Sequence, residues 1–437
     1  MNETHDPERT TWVESAQAPT DFPIQNLPYG VFRRRGTLER PRVGVAIGTD
    51  VLDLSACVEV VGFTGPSEKA TQACTSHTLN GLMSLDRQHW SSLRQQVSAL
   101  LSQDSPVARA DRKIRDRILV PMVEVEMMLP GDIGDYTDFY ASVYHATNVG
   151  SMFRPDSPLL PNYKWVPIGY HGRASSIVPS GTPVRRPRGQ LKSADSSEPV
   201  FGRSRSLDYE MEVGCFVGPG NLQGEPIPIE EAEQHLFGLC LVNDWSARDI
   251  QSWEYQPLGP FLAKNFSTTI SPWVVSLDAL EPFRVPAFAR PSGDPAPLPY
   301  LDSSRNQTQG GIDVTVDVLL LTEKMRSAGQ RAHRLSRSRM ADLYWTTAQL
   351  LTHHASNGCN LRPGDLFATG TISGPTKDAR GCLLELTWRG AEPVTLPSGE
   401  TRKFLEDGDE VIMRGFCERP GTTRIGFGEC RGRIVAE

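Results

Sequence analysis

Five acidic side chains sit in stretches too apolar for a solvated surface: Asp138 in TDFYASVYHATNVG, Glu210 and Glu212 in SLDYEMEVGCFVG, Asp244 closing FGLCLVND, and Glu385 in CLLELTW, with His145 downstream of the first. Burying an uncompensated ion is costly, so the fold must bring these carboxylates to cations, to hydrogen-bond donors or to a metal. A hard divalent cation with oxygen ligands is the leading expectation.

The strand-like alternation of LDYEMEV places Asp208, Glu210 and Glu212 on one face and Leu207, Tyr209, Met211 and Val213 on the other. Carboxylates one pleat apart repel and raise each other's pKa, and a divalent cation reverses that repulsion. An exposed edge strand carries the same pattern, so other carboxylates have to join. Asp244 follows an apolar run and lies where a buried strand emerges, although Asp before WSARD also reads as a helix cap. Four carboxylates around one divalent ion leave about two negative charges uncompensated, so Lys264, alone in PLGPFLAKNFSTT, or Arg248 is expected nearby. His145 is the candidate general base, because imidazole titrates near working pH and is tuned by a carboxylate partner. Glu385, read as lying on the apolar strand LLELTW, is the candidate partner. A satisfied core histidine is the alternative.

The whole chain narrows the function class. Its 437 residues allow about two to three domains. No stretch approaches the ~18 apolar residues of a membrane span, and the polar N-terminus lacks the apolar core of a signal peptide, which implies a cytoplasmic protein. The eight cysteines are scattered singly and read as reduced core thiols, and sequons at Asn2, Asn265 and Asn306 are discounted without a signal. A net charge of −7 argues against nucleic acid. Arg33-Arg34-Arg35 and RRPRGQLK (185–192) are too short or too broken to reverse that. P-loop, G-x-S-x-G and H-E-x-x-H motifs do not occur, and GFGECRG has the wrong spacing for a dinucleotide turn.

The fold class expected is mainly β, α+β overall. Residues 1–20 read as a disordered tail. VGVAI, the turn Gly48-Thr49-Asp50 and VLDL predict a β-hairpin, and Asp86 caps a predicted helix whose stripe is Trp90, Leu93, Val97, Leu100 and Leu101. A domain over 21–130 is followed by one over 131–437, whose short strands are punctuated by Gly/Pro/Asn/Asp clusters, the spacing of a β-sandwich or roll. Helices are predicted over 229–236 and 339–357, and residues 286–311 as an exposed excursion.

IGDYTDFYASVYHATNVGSMFR, LPNYKWVPIGYHGRASSIVPSGTPVRRPRGQ, NDWSARDIQSWEYQPLGPFLAKNFSTTISPW and LRPGDLFATGTISGP closely resemble the fumarylacetoacetase family, from about residue 22 to the C-terminus. The resemblance implies a small SH3-like N-terminal β domain, a large β-sandwich roll carrying catalysis, and a homodimer. It implies hydrolysis of a carbon–carbon bond in a small β-diketo acid, with no nucleic-acid or membrane partner. Asp138, Glu210, Glu212 and Asp244 match the family's Ca2+ ligands, and Asp244, Lys264 and Thr268 match a second, Mg2+-type position, the lysine through its backbone carbonyl. His145 matches the base and Glu385 its partner. Tyr140, Arg154, Tyr170, Gln251, Tyr255 and Thr371 fall on substrate contacts, and Arg248, Gln251 and Lys264 on groups that steady negative charge. Ala263, Ser267 and Val143-Tyr144 depart from the family pattern. Another hydrolase of the superfamily, acting on acylpyruvates, and a non-catalytic metal-stabilised scaffold are the rival readings.

Overall fold

The computed structural model describes residues 1–436. The N-terminal region is built on a five-stranded antiparallel sheet, in the order Leu119–Pro121, Asp50–Asp53, Arg42–Ile47, Tyr29–Arg34, Val125–Met127. The hairpin at its centre turns on Gly48, whose φ of 57° lies in the left-handed region that glycine enters without a Cβ penalty. The helix Arg87–Leu101 begins where Asp86 accepts from the backbone N–H of His89, and it buries Trp90, Leu93, Val97, Leu100 and Leu101, the predicted stripe.

The expected disordered tail is folded. The final carbonyls of a helix lack partners within it, and here the N-terminal residues supply them: the Trp12 indole N–H donates to the Leu100 carbonyl at 2.9 Å and the Thr11 hydroxyl to that of Leu101 at 2.6 Å. Trp12 and Val13 join the apolar cluster of this region. Arg94, buried on the same helix, donates to the carbonyls of Gln25 and Asn26, and His5 is 2.6 Å from the carbonyl oxygen of Asp278 in the second region. Local polarity concealed these pairings because every partner is distant in sequence.

The second region holds two sheets packed face to face. The larger runs Gly169–His171, Tyr136–Phe139, Leu366–Ala368, Met211–Val217, Leu236–Asp244, Thr268–Ile270, Ile177–Pro179, with Val275–Ser276 also paired to the long strand Leu236–Asp244. The smaller runs His333–Arg339, Thr315–Leu321, Glu410–Cys417, Ile425–Val435, Val184–Arg185. Close approach between them needs glycine: a Cβ on Gly415 would stand 2.7 Å from Leu241, and one on Gly432 2.6 Å from Trp245. GFGECRG is thus a tight packing strand.

Three predicted elements differ. Residues 339–357 split into a 3-10 turn Met340–Asp342 and a helix Thr347–Ala355, because Thr346 and Gln349 form a capping box that starts the helix afresh. The helix predicted over 229–236 shrinks to the turn Ala232–His235, since Leu236 already belongs to the long strand. The 286–311 excursion is partly anchored: Leu301 and Asn306 are buried, and the Arg290 guanidinium lies 4.2 Å from the Tyr344 ring centre and 4.6 Å from that of Trp345.

Trp12→Ala should therefore lower the unfolding free energy by about 3 kcal/mol in urea denaturation. A change under about 0.5 kcal/mol, the scale of a surface substitution, would contradict the docking of this segment.

Candidate active site

Strand register gathers the acidic groups. Asp138 pairs with Ala368, Ala368 with Gly214, Glu212 with Val242, and Asp244 with Thr268, so five adjacent strands bring Asp138, Glu212, Asp244 and Thr268 to one region of the larger sheet. Carboxylate oxygens of Asp138, Glu212 and Asp244 all lie within 4.8 Å of one another, and all three residues are buried. Burial raises each of these carboxyls, and neighbouring carboxylates add to it: Glu210 at Asp138, Asp138 with Asp244 and Glu210 at Glu212, and Asp138 with Glu210 at Asp244.

The single carboxylate face expected from LDYEMEV does not form. Leu207–Asp208 pairs with Ser246–Ala247, Met211–Val217 pairs with Leu236–Asp244, and the break at Tyr209 and Glu210 sends the three acids to different partners. Asp208 receives Arg248 Nε at 2.9 Å. Glu210 is bound by Arg248 Nη1 at 2.7 Å and Lys264 Nζ at 2.5 Å. Glu212 alone faces Asp138 and Asp244. The structure thus puts both anticipated cations at the acidic cluster, where Lys264 Nζ also donates to Asp244 Oδ2 at 2.7 Å and to Ser246 Oγ at 2.8 Å. Burial works against charge on Glu210, yet the attraction of Lys264 and Arg248 outweighs it and holds this carboxyl well below its ordinary range.

The residues present fit a divalent cation. Asp138 Oδ1, both carboxylate oxygens of Glu212 and Asp244 Oδ1 are buried and have no hydrogen-bond partner. Such an orphan ion is costly. The remaining oxygens are tied back by tyrosines: Tyr136 Oη donates to Asp138 Oδ2 at 2.7 Å and Tyr170 Oη to Asp244 Oδ2 at 2.8 Å. The unpartnered oxygens are all hard ligands, the donor type that Ca2+ and Mg2+ take.

His145 sits in the first turn of the helix Val143–Phe153, which Ser142 caps. Its Nδ1 is 2.6 Å from Glu385 Oε2. Glu385 is not on a strand: it lies on the short helix Leu383–Leu386, fully buried. Asn148, one turn beyond His145 on the same helix face, donates to Glu385 Oε1 at 2.8 Å, and Ser373 Oγ donates to Oε2 at 2.8 Å. With Nδ1–H directed at a carboxylate, the imidazole keeps its lone pair on Nε2. The Tyr140 ring packs edge-on to His145 at 4.9 Å, and the Tyr163 hydroxyl holds the Tyr140 carbonyl at 2.9 Å.

Both clusters meet in one cavity of about 340 Å³. His145, Asp138, Glu210, Arg248 and Lys264 line it, as do the predicted contact residues Tyr140, Arg154, Tyr170, Gln251, Tyr255 and Thr371. Thr371 Oγ1 and Arg248 Nη2 are buried without partners. Glu212, Asp244, Thr268 and Glu385 stand behind the walls. Residues not singled out from sequence include Phe139, Ile168, Phe261 and Leu384, which make part of the wall apolar. Asn148 was recoverable from its helical spacing to His145; Ser373 had no signal in its surroundings.

Burial works to raise the Glu385 carboxyl, but His145 and the hydrogen bonds from His145, Asn148 and Ser373 outweigh it and hold it at about 2, against an ordinary 4.5. A carboxyl depressed by folding stabilises the native state fully above its unfolded value, and that contribution disappears as the pH falls through the folded one. In denaturant titrations Glu385→Gln should be less stable than wild type at neutral pH, with the gap closing between pH 4.5 and about 2. A gap that is constant across that window would rule out the depressed Glu385 carboxylate.

A family model described as the fumarylacetoacetase N-terminal domain matches residues 25–130, and one described as the fumarylacetoacetate hydrolase C-terminal domain matches residues 136–435. A curated fumarylacetoacetase of Bos taurus is 53% identical over 418 residues, covering 95% of this chain and 96% of its own. One of Oryza sativa subsp. japonica is 49% identical over 428 residues, covering 97% of each chain. Among solved structures, a fumarylacetoacetate hydrolase from psychrophilic Exiguobacterium antarcticum superposes with a TM-score of 0.50 at 16% identity, covering 94% of this chain and all of that one, a likeness of fold. With both of its regions matched and half of its residues shared along nearly the whole length, the chain belongs to the fumarylacetoacetase family.

Proposed function

We propose that this chain hydrolyses the carbon–carbon bond of fumarylacetoacetate to fumarate and acetoacetate, a step of tyrosine breakdown. The observation that carries the reading is the His145–Glu385 pair at 2.6 Å, opening on the same cavity as Asp138, Glu210, Arg248 and Lys264. Asp138, Glu210, Glu212 and Asp244 would hold a Ca2+, and Asp244 with Thr268 and the Lys264 carbonyl a Mg2+; when bound, such an ion polarises the oxygens of a β-diketone as a Lewis acid.

The chain's own groups supply the rest. Glu385 fixes the ring of His145 so that Nε2 accepts a proton from water, whose oxygen bonds to the fumaryl-side carbonyl carbon. Arg248, Gln251 and Lys264, which line the cavity beside apolar wall residues, steady the negative charge that gathers on the carbonyl oxygen. The Arg248 Nη2 group, buried and unpartnered, is the donor best suited to this. As the tetrahedral centre collapses, the carbon–carbon bond breaks, its electron pair leaves on the acetoacetate carbon, and that carbon takes the proton held by His145. Arg154, Tyr170, Tyr140, Tyr255 and Thr371 bind and orient the substrate through its carboxylate and keto oxygens. A cytoplasmic location is in keeping with the eight free cysteines, seven of them buried, and a homodimer follows from the family resemblance alone.

His145→Ala should lower kcat by at least about 10²-fold, the lower end of general-base catalysis, while metal content measured on the purified protein stays at the wild-type level. Near wild-type turnover would remove His145 from the mechanism. Asp244→Ala should lose bound metal and activity together. Loss of fumarylacetoacetate ultraviolet absorbance, with and without chelator, tests the substrate; turnover confined to acylpyruvates would transfer the reading to another hydrolase of the superfamily.

A further inference from the structure

Asp208 touches neither the cavity nor the carboxylate trio, yet it is fully buried and each of its oxygens accepts two hydrogen bonds. Oδ1 accepts from the backbone N–H groups of Tyr209 at 2.9 Å and Leu383 at 2.8 Å. Oδ2 accepts from the N–H of Leu384 at 2.9 Å and from Arg248 Nε at 2.9 Å. The first N–H groups of a helix have no partner within it. The helix Leu383–Leu386 receives no cap from its own N-cap residue, Cys382, so Asp208 supplies one from a different strand. That helix carries Glu385, the partner of His145.

The same carboxylate fixes one edge of the Arg248 fork. A guanidinium offers five N–H donors in a rigid plane. Nε is committed to Asp208, Nη1 to Glu210 at 2.7 Å and to Gln251 Oε1 at 3.1 Å, and Nη2 has no partner. Holding the Nε edge and the Nη1 corner leaves the plane no freedom to rotate. Nη2 is thereby kept unpaired in a residue that lines the cavity together with its neighbours in the network Glu210, Gln251 and Leu384.

We infer that Asp208 is a positioning residue for the hydrolysis: through a single carboxylate it locks the Arg248 guanidinium with Nη2 presented to the developing oxyanion, and docks the helix that holds Glu385 against His145. This rests on the reading of Arg248 as an anion-stabilising group. A glutamate would push the carboxylate outward by a methylene. An asparagine keeps the shape but turns one acceptor into a donor facing N–H groups and removes the charge that Arg248 needs.

The test is steady-state kinetics on fumarylacetoacetate with metal-loaded full-length protein, comparing Asp208→Asn, Arg248→Ala and the double variant, each checked for folding by circular dichroism and thermal melting. A group that sharpens an interaction made only in the transition state lowers kcat and kcat/KM equally. Asp208→Asn should lower kcat about 10- to 100-fold, below the full loss of an oxyanion donor, with KM within about twofold of wild type. In the Arg248→Ala background the same substitution should cost much less, because the groups act as one unit. If the asparagine variant does not fold, Asp208→Ser takes its place, leaving room for a water to serve the two helix N–H groups while still removing the charge beside Arg248. Unchanged kcat in a folded Asp208 variant overturns the inference and leaves Arg248 standing. An equal loss with and without Arg248 overturns the lock on Arg248, since an effect exerted only through the Glu385 helix or by general loosening behaves that way. Unchanged kcat in Arg248→Ala removes the premise itself, a failure distinct from the other two.

Discussion

The site depends on how two buried cations are shared among five buried carboxylates. Arg248 and Lys264 both turn to Glu210, with Arg248 also serving Asp208 and Lys264 also serving Asp244. Glu212 and half of Asp138 and Asp244 receive nothing. Ions in a low-dielectric interior are tolerated only when paired, so the unserved oxygens define a place that demands positive charge. The asymmetry separates two tasks. Glu210, at the edge of the proposed cradle, also organises the cations that border the cavity, while the trio beside it keeps the unserved hard oxygens.

The His145–Glu385 pair stands apart from this cradle. His145 is presented by one helix and Glu385 by another, and the latter has four hydrogen-bonding neighbours, His145, Asn148, Ser373 and the Cys382 thiol. Such a carboxylate has little freedom to rotate, and it passes that order to the imidazole. The left-handed backbone of Trp388 and Arg389, with φ of 46° and 58°, follows directly on this helix. Strain in non-glycine residues persists only where the surroundings over-determine it. Here Arg389 donates to the Met152 carbonyl at 3.2 Å and stacks on Phe153, joining the end of the histidine's helix to the end of the glutamate's.

Much of this was legible in the residues, and the limits have physical causes. The hairpin around Gly48 and the helix behind Asp86 were readable because turn and cap chemistry is local. Lys264 stood out because a lone ammonium in an apolar run needs an anion. The strand alternation through Glu210 misled because the ladder changes partners at Tyr209, an event set by residues 236–247 and invisible within the segment. Glu385 read as a strand residue because CLLELTW is uniformly apolar, a pattern shared by buried strands and buried helices; the cap that decides for a helix comes from Asp208, 175 residues upstream of Leu383. Long blocks of family resemblance located the cavity residues, which no periodicity would have found.

The seam between the two regions is stitched by the first residues of the chain. His5 meets the carbonyl of Asp278, and the side chain of Asp278 is gripped by Arg87 and Ser91 from the helix that Trp12 caps. Thr11 and Trp12 dock on carbonyls 90 and 88 positions along the chain, whereas His5 reaches one 273 positions away. Once the nearer contacts have ordered this segment, the His5–Asp278 contact closes a shorter loop and costs less chain entropy.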